Sequence, residues 1–119
     1  MSIDRKTSFG TINVSNDAIA ALVGGIVSEC YGVVGMASQK LLIDGLAELL
    51  RQDNYSRGVE VVRKDNSLEI GLYVIISYGT RVNQVVSELQ KKVKYELEKT
   101  LDLDITAVNV YVQGVKVME

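Results

Sequence analysis

Aliphatic side chains at every second position dominate one segment of the chain. They are Leu68, Ile70, Leu72, Val74 and Ile76. Because a strand directs successive side chains to opposite faces of a sheet, this period of two predicts a strand from Leu68 to Ser77 with one buried face. The opposite face of the same segment is mixed, so we expect it to be partly covered.

Two other stretches repeat apolar residues at intervals of three and four, the spacing of amphipathic helices. The first begins after Ser15, a good N-cap, carries Asp17 in its first turn, and is predicted to end at Gly32. The second begins after Thr80, its predicted N-cap, and continues to about Thr100. Each of these stretches is long enough to pack along a sheet.

The segment between the first helix and the central strand is harder to interpret. Gly32-Val-Val-Gly35 is predicted to form a brief apolar turn. Leucines at positions 42, 46, 49 and 50 favour a further helix from Ser38 to Arg51, although Gly45 weakens that prediction. A polar loop is predicted for Asp53–Gly58.

Three shorter segments complete the predicted sheet. Phe9–Val14 and Ile105–Val112 alternate apolar and polar residues, and Val59–Lys64 is predicted to form a hairpin with the central strand. The predicted order is β-α-(α)-β-β-α-β. Such an order favours a single α+β domain over residues 1–119, a two-layer sandwich with helices on one face of a mainly antiparallel sheet.

The composition excludes the commonest catalytic and metal-binding chemistry. Histidine is absent from all 119 residues, so no imidazole can act as a base or ligand. Cys30 lies on the apolar stripe of the first helix and is interpreted as a small buried hydrophobe. We therefore predict no catalytic, cofactor-binding or metal-binding residues, and no enzyme activity.

Charge and hydropathy bear on partners and location. The net charge of −2 gives no general attraction to nucleic acid or to anionic lipid. Lysines on the second helix alternate with glutamates, and the pairs Glu88/Lys92 and Lys94/Glu98 have the spacing of helical ion pairs. No apolar run spans a bilayer and no secretory signal is visible, so we expect a cytoplasmic protein without direct membrane insertion.

The tyrosines are the most informative polar feature. Tyr73 and Tyr111 fall on the less apolar faces of their strands. If those faces point the same way, the two side chains form part of an exposed patch for a partner. Ordinary half-burial explains them equally well, because tyrosine suits strands.

Several segments, taken in order, resemble one bacterial family. They are Gly10-Thr-Ile-Asn-Val-Ser15, Gly32-Val-Val-Gly35, Gly58-Val-Glu-Val61, Leu72-Tyr-Val-Ile-Ile-Ser-Tyr-Gly79 and Val108-Asn-Val-Tyr-Val112. Together they resemble the alkaline shock protein, or envelope stress response, family of Gram-positive bacteria. The resemblance implies a non-enzymatic cytoplasmic protein that self-associates and gathers at the inner membrane face through a membrane-anchored protein partner.

Two functional hypotheses therefore stand beside each other. The first is an interaction or scaffold module of cell-envelope stress homeostasis, a homo-oligomer that docks to a partner. The second is a small RNA-binding or other nucleic-acid-binding module, argued from fold analogy alone. A nucleic-acid surface would need more positive charge than this chain carries, which disfavours the second, and a small-molecule enzyme has no residue in its favour.

Overall fold

A computed structural model describes residues 2–41, 47–50, 57–64 and 67–117. Within that part of the chain, strands and helices follow the order β-β-α-β-β-β-β-α-β. Their bounds are β1 Ser2–Thr7, β2 Gly10–Ser15, α1 Asn16–Ser28, β3 Val33–Leu41, β4 Ala47–Leu49, β5 Val59–Lys64, β6 Ser67–Ser77, α2 Val82–Leu101 and β7 Asp104–Lys116. The α+β class is confirmed, with both helices on one side of the main sheet.

Strand β6 is the centre of a five-stranded sheet. Its five alternating aliphatic side chains are each at most 1% exposed, as the period of two predicts. Along one edge of β6, β5 pairs with the first half of β6 and β3 pairs with the second half. Both pairings are antiparallel. Strand β7 pairs with the whole length of the other edge, and β4 extends β3.

The pairing of β6 with β7 is parallel, in a sheet that is otherwise antiparallel. Its cause is the connection, since α2 carries the chain back across the sheet before β7 begins. A helix of this length spans about 30 Å. That is close to the length of β6, along which the chain must return before β7 can pair in parallel. Strand β7 also continues past Gly114 to Lys116, beyond the core of the predicted strand.

The two helices pack their apolar stripes against the buried face of β6. The fully or nearly buried helix residues are Ile19, Ala20, Val23 and Val27 of α1 and Val85, Leu89, Val93 and Leu97 of α2. Ser15 caps α1 as predicted, its hydroxyl accepting a hydrogen bond from the Ala18 N–H at 3.1 Å. Burial of these eight side chains in one core with the sheet is the main cohesive contribution to the fold.

Helix α1 ends earlier than its sequence predicts. Its C-cap is Glu29, and Gly32 lies in the turn that follows. With φ of 86° and the Val85 Cγ2 only 2.6 Å from where a Cβ would stand, Gly32 is the residue type that this turn requires. The prediction of Gly32 as the helix end is wrong, but the left-handed conformation is confirmed.

Polar side chains fix α2 along β7. Gln90 Nε2 donates to the Val108 carbonyl at 2.9 Å, and Lys94 Nζ donates to the Ile105 carbonyl at 2.7 Å. The Glu98 carboxylate accepts from the Ile105 N–H at 3.2 Å. These three side chains are spaced by four residues and therefore lie in one row on α2. They form hydrogen bonds with backbone groups of β7 that would otherwise be unpaired.

At its N-terminus, α2 differs from the prediction. Arg81 is the N-cap and provides no side-chain bond, while the Thr80 hydroxyl donates to the Ser77 carbonyl at 2.7 Å. Thr80 is therefore not the N-cap. It closes the turn that follows β6, because a bond to the preceding strand end is within reach of its side chain.

The predicted helix from Ser38 to Arg51 is wrong wherever the structure describes it. Residues 38–41 belong to β3 and Ala47–Leu49 form β4, while positions 42–46 and 51 lie outside the described residues. Met36 and Ala37 are fully buried where β3 meets β6, so pairing with the central strand outweighs local helix preference. Val33–Gly35 likewise begin β3 through a register shift rather than forming a separate turn.

Strands β1 and β2 form a separate two-stranded hairpin, of which only β2 is predicted by the sequence. Thr7 pairs with Gly10 at its tip, and the Phe9 N–H donates to the Thr7 hydroxyl at 3.2 Å. Outside the hairpin its main neighbour is α1. The molecule is correspondingly elongated, measuring 53 by 29 by 22 Å.

Candidate interaction surface

The structure brings Tyr73 and Tyr111 together on the face of the sheet that points away from the helices. The two residues are register partners across the β6–β7 pairing. Their ring centroids are 4.9 Å apart with an interplanar angle of 24°, a stacked arrangement. Tyr111 is 44% exposed, whereas Tyr73 is half-buried. The faces of β6 and β7 that carry these tyrosines therefore point the same way, which was the condition for an exposed patch.

A glycine lies beside this pair. Gly71 precedes Tyr73 on the same face of β6, and a Cβ placed there would lie 3.6 Å from the Tyr111 Cε2. The same position would lie 3.4 Å from the Cβ of Glu60, the register partner of Gly71 on β5. Glu60 and the two rings therefore converge over one bare stretch of backbone.

The surroundings of Tyr73 disfavour its ionised form. Partial burial raises the pKa of the phenol, and the negative charge of Glu60 and the neighbouring Tyr111 raise it further. The Tyr73 hydroxyl consequently stays protonated across the neutral range. It is a hydrogen-bond donor and acceptor for a partner, not a base.

A chain of polar contacts closes one end of this face. Lys64 Nζ lies 3.0 Å from the Glu69 Oε2, and Asn109 Nδ2 donates to the Glu69 Oε1 at 2.9 Å. The hydrogen bond from Lys64, followed by that from Asn109, holds the pKa of the Glu69 carboxyl below its ordinary value. These contacts link β5, β6 and β7 in a line across the sheet.

We call this surface the tyrosine face. It is formed by Glu60, Lys64, Glu69, Gly71, Tyr73, Asn109 and Tyr111. Sequence reasoning identified the tyrosines but missed the polar residues, because a period of two assigns a face to each residue without revealing its neighbours on other strands. Only the register places Glu69 between Lys64 and Asn109.

Beyond Tyr111, the end of β7 exposes aliphatic side chains. Val112, Val115 and Val117 are 38%, 53% and 64% exposed. Ile75, by contrast, is buried on β6, with its Cδ1 3.3 Å from where a Cβ would stand at Gly114. In the β6–β7 register Val112 pairs with Val74 and Val115 with Ile76, so these two exposed valines lie on the helix side of the sheet and not on the tyrosine face.

A separate cavity of about 490 Å³ lies between the end of α1 and the beginning of α2. Its lining includes Cys30, Tyr31, Val85 and Glu88. The Cys30 thiol donates to the Ile26 carbonyl at 3.4 Å, and burial raises its pKa against the opposing influence of Lys92. The thiol is thus largely protonated and half-buried, in keeping with its assignment as a small hydrophobe.

The lysines of α2 are engaged in the contacts of a solvated helix. Lys94 lies 3.4 Å from Glu98, the pair predicted from the spacing of four. Lys92 lies 3.7 Å from Glu29 of α1, instead of bonding Glu88 as predicted. The contact between Lys92 and Glu29 joins the two helices. Residue spacing within α2 alone could not predict it.

Neither a metal site nor a membrane span emerges from the described ranges. No three cysteine or acidic side chains there lie close enough together to hold a metal ion. Among the helices that those ranges contain, neither is long and apolar enough to cross a membrane.

Comparison with known proteins identifies the family. The sequence profile of the alkaline shock protein 23 family, described as having a cell envelope-related function, matches residues 4–117. The chain belongs to this family. The resemblance found in the sequence is confirmed, and the match includes both the hairpin and the tyrosine face.

Uncharacterised proteins from two genera are similar over most or nearly all of their length. The uncharacterised protein YloU of Bacillus subtilis (strain 168) is 47% identical over 117 residues, which cover 98% of each chain. The uncharacterised protein Spy1614 of Streptococcus pyogenes serotype M6 is 42% identical over 118 residues, 99% of this chain and 98% of that protein. The uncharacterised YqhY of Bacillus subtilis is 24% identical over 110 residues, 92% and 80% of the two chains. No solved structure matches the chain.

Proposed function

We propose that the chain is a non-enzymatic interaction module of cell-envelope stress homeostasis. It works in the cytoplasm, at the inner face of the membrane, by self-association and by docking to a protein partner that is anchored there. The family supplies the envelope connection. The observation that carries the interaction role is the stacked pair of Tyr73 and Tyr111 on the tyrosine face.

The tyrosine face has the composition of a protein-docking surface. Tyrosine is enriched at interface centres because a large apolar ring carries a polar tip. Here the rings are held rigid by their mutual stacking and by the backbone below, so little side-chain entropy is lost on binding. The Lys64–Glu69–Asn109 chain supplies a polar rim on one side.

The chemistry of the side chains supports a role without catalysis. The sequence contains no histidine. The raised pKa values of the Cys30 thiol and the Tyr73 phenol keep both groups protonated at neutral pH, which is the opposite of what a nucleophile or base requires. What these residues offer is contact surface.

Photo-crosslinking in the native host tests the proposal. A photoreactive residue replaces either Tyr111, which is 44% exposed, or Tyr95 on α2, which is 60% exposed and serves as the control. We expect crosslinks from position 111 to a second copy and to a protein of the membrane fraction, and neither product from position 95. Sedimentation velocity of the purified chain over a concentration series should show association that Tyr111→Ala weakens and Tyr95→Ala leaves unchanged.

Two results would overturn the proposal. One is a chain that sediments as a monomer at every concentration and yields no crosslinked protein in cells. The other is identical behaviour of the two tyrosine positions, which would remove the tyrosine face from the mechanism.

A further inference from the structure

Strand β7 forms an outer edge of the main sheet, because within the described part of the chain it pairs with β6 alone. From Ile105 to Val115 it contains no charged residue, and the sequence has no proline. Charged side chains and proline are the usual protection of a strand edge against pairing with another chain. On the other side of β6, β5 has such protection in Glu60, Arg63 and Lys64, whereas β7 has none along this run.

Hydrogen bonds from α2 show which backbone groups of β7 point away from β6. The Ile105 N–H and C=O and the Val108 C=O all bond to side chains of α2. Because a strand directs the backbone groups of alternate residues to the same side, those of Val110 and Val112 also point outward. The register shift after Val112 reverses the alternation, and the Lys116 carbonyl accordingly accepts from the N–H that follows β6.

Helix α2 covers only the first part of this outward edge. Its row of polar side chains along β7 ends at Gln90, whose amide bonds the edge. The preceding members of the row, at the same spacing of four, are Val86 and Val82, which offer no hydrogen bond. The outward groups of Val110 and Val112 therefore have no partner among the described residues. Val82 and Val112 are both 38% exposed, so another chain can reach this edge.

This part of the edge is complementary to itself. In an antiparallel pair of two β7 strands with a two-fold axis at Tyr111, Val110 of each copy lies opposite Val112 of the other. The backbone groups of both valines point outward. Each valine can therefore exchange its N–H and C=O hydrogen bonds with the valine opposite, without disturbing a bond within either copy.

The contacts of β7 within its own chain select this axis. An axis one residue nearer the start of β7 would need the Val108 carbonyl, which already accepts from Gln90. An axis one residue nearer its end would oppose Val110 to Gly114, which lies beyond the register shift and has its backbone groups turned towards β6. Only an axis at Tyr111 uses groups that are free.

The side chains suit the same axis. Residues near a two-fold axis meet their own equivalents, so a charge there would oppose an equal charge. The uncharged run of β7 avoids this conflict, a constraint that a foreign peptide would not impose, and it therefore favours a second copy as the occupant. On the outer face the two Tyr111 rings, each 44% exposed, become direct neighbours. They extend the stack with Tyr73 from one copy into the other.

We propose that two copies of the chain pair antiparallel along β7, about a two-fold axis at Tyr111, and join their five-stranded sheets edge to edge. The proposal rests on the self-association proposed above and names its contact. The contact is isologous and uses one edge of each copy, so it closes at the dimer. The tyrosine faces of the two copies then form one continuous surface, which stays open to the membrane-anchored partner.

Disulfide trapping tests the axis, because a residue on a two-fold axis meets its own copy. Opposed residues of a non-hydrogen-bonded antiparallel pair have Cα atoms about 4.5 Å apart, within reach of a disulfide. Cys30 is the sole cysteine and is replaced by serine throughout. In that background Tyr111→Cys should give mostly dimer under mild oxidation, and no larger species. Asn109→Cys, the matched control on the same face, should give little, since its two thiols would lie roughly 13 Å apart along the strands.

A proline substitution tests the backbone pairing. Val112→Pro removes an outward N–H and takes no hydrogen bond from β6, a position at which edge strands tolerate proline. It should raise the dissociation constant of self-association about tenfold or more, measured by sedimentation velocity. Val112→Thr retains the N–H and the β-branched shape, and should leave that constant unchanged. Far-UV circular dichroism of both variants reports whether the sheet is retained, and the trapping result decides alone if the proline variant does not fold.

The outcomes separate this contact from the function proposed above. The β7 pairing is overturned if Tyr111→Cys traps no more dimer than Asn109→Cys, or if a folded Val112→Pro associates as tightly as Val112→Thr. It is overturned also if Tyr73→Cys, one strand inside the edge, traps as much dimer as Tyr111→Cys, because that result requires the two faces to pack on each other. In each case self-association through the tyrosine face stands. If the wild-type chain stays monomeric throughout, both proposals fall.

Discussion

The two faces of β6 are built from neighbouring residues of one strand and differ in almost every physical respect. Towards the helices, the five aliphatic side chains are at most 1% exposed and belong to one hydrophobic core. Away from the helices, Glu69, Gly71 and Tyr73 contact a lysine, an amide, a carboxylate and a second ring. One face is specified by burial, which many aliphatic residues satisfy, and the other by individual pairings.

This difference implies that the faces respond differently to substitution. Loss of volume on the helix side leaves a cavity that surrounding elements cannot fill. Loss of a group on the tyrosine face removes a contact that water can partly replace. Stability should therefore depend mostly on the first face, and binding on the second.

The largest effect is expected from Leu72→Ala. Leu72 lies on the helix-facing side of β6 and is fully buried, so the substitution should lower the free energy of unfolding by about 2 to 5 kcal/mol. Urea denaturation followed by far-UV circular dichroism measures the change. A loss below about 1 kcal/mol would contradict the proposed difference between the two faces, because it would mean that the helices do not tightly bury this face.

An intermediate effect is expected from the tyrosine pair. The stack of Tyr73 on Tyr111 should contribute about 0.5 to 1.5 kcal/mol beyond simple burial. A double-mutant cycle with Tyr73→Leu and Tyr111→Leu isolates that coupling, because each leucine retains apolar bulk. Strict additivity of the two single substitutions would show that the rings are neighbours without mutual stabilisation.

The smallest effect is expected at Glu69. Its folded pKa lies below the ordinary value of 4.5, so the stability it contributes is present above that pH and is lost as the pH falls through the lowered value. Glu69→Gln should therefore be less stable than the wild type at pH 7, with the difference shrinking in acid. Melting temperatures of both proteins between neutral pH and about pH 3 provide the measurement. Parallel curves would show that Lys64 and Asn109 do not favour the ionised carboxyl.

The core face was predictable from the sequence, and the partner contacts of the tyrosine face were not. Periodicity alone located β6, both long helices and the Ser15 cap, because each depends on residues close along the chain. Glu69 meets Asn109 across 40 positions, a distance that no local pattern spans. The same is true of the stack, for which the alternation supplied the faces and the parallel register supplied the contact.

The errors in the fold have a common cause. Residues 33–49 were predicted as a turn and a helix, yet the described part forms β3 and β4. Met36 and Ala37 are consecutive and both fully buried, so this part of β3 lacks the alternation that marks a half-exposed strand. A strand that shifts its register against β6 has no steady period, so its sequence resembles other structures. Strand β1 was not predicted, because it pairs with β2 in a separate hairpin rather than with a strand of the core.

The stack between β6 and β7 also gives the molecule an intrinsic optical reporter. The chain has six tyrosines, one phenylalanine and no tryptophan, so tyrosine transitions dominate its near-ultraviolet spectrum. Tyr73 and Tyr111 are the one aromatic pair whose rings stack within the described residues, and they come together only when α2 has brought β7 alongside β6. Excitonic coupling between the two rings should therefore appear with closure of this long crossover. The excitonic signal would distinguish the pairing of β7 with β6 from the formation of the helices in time, without any added label.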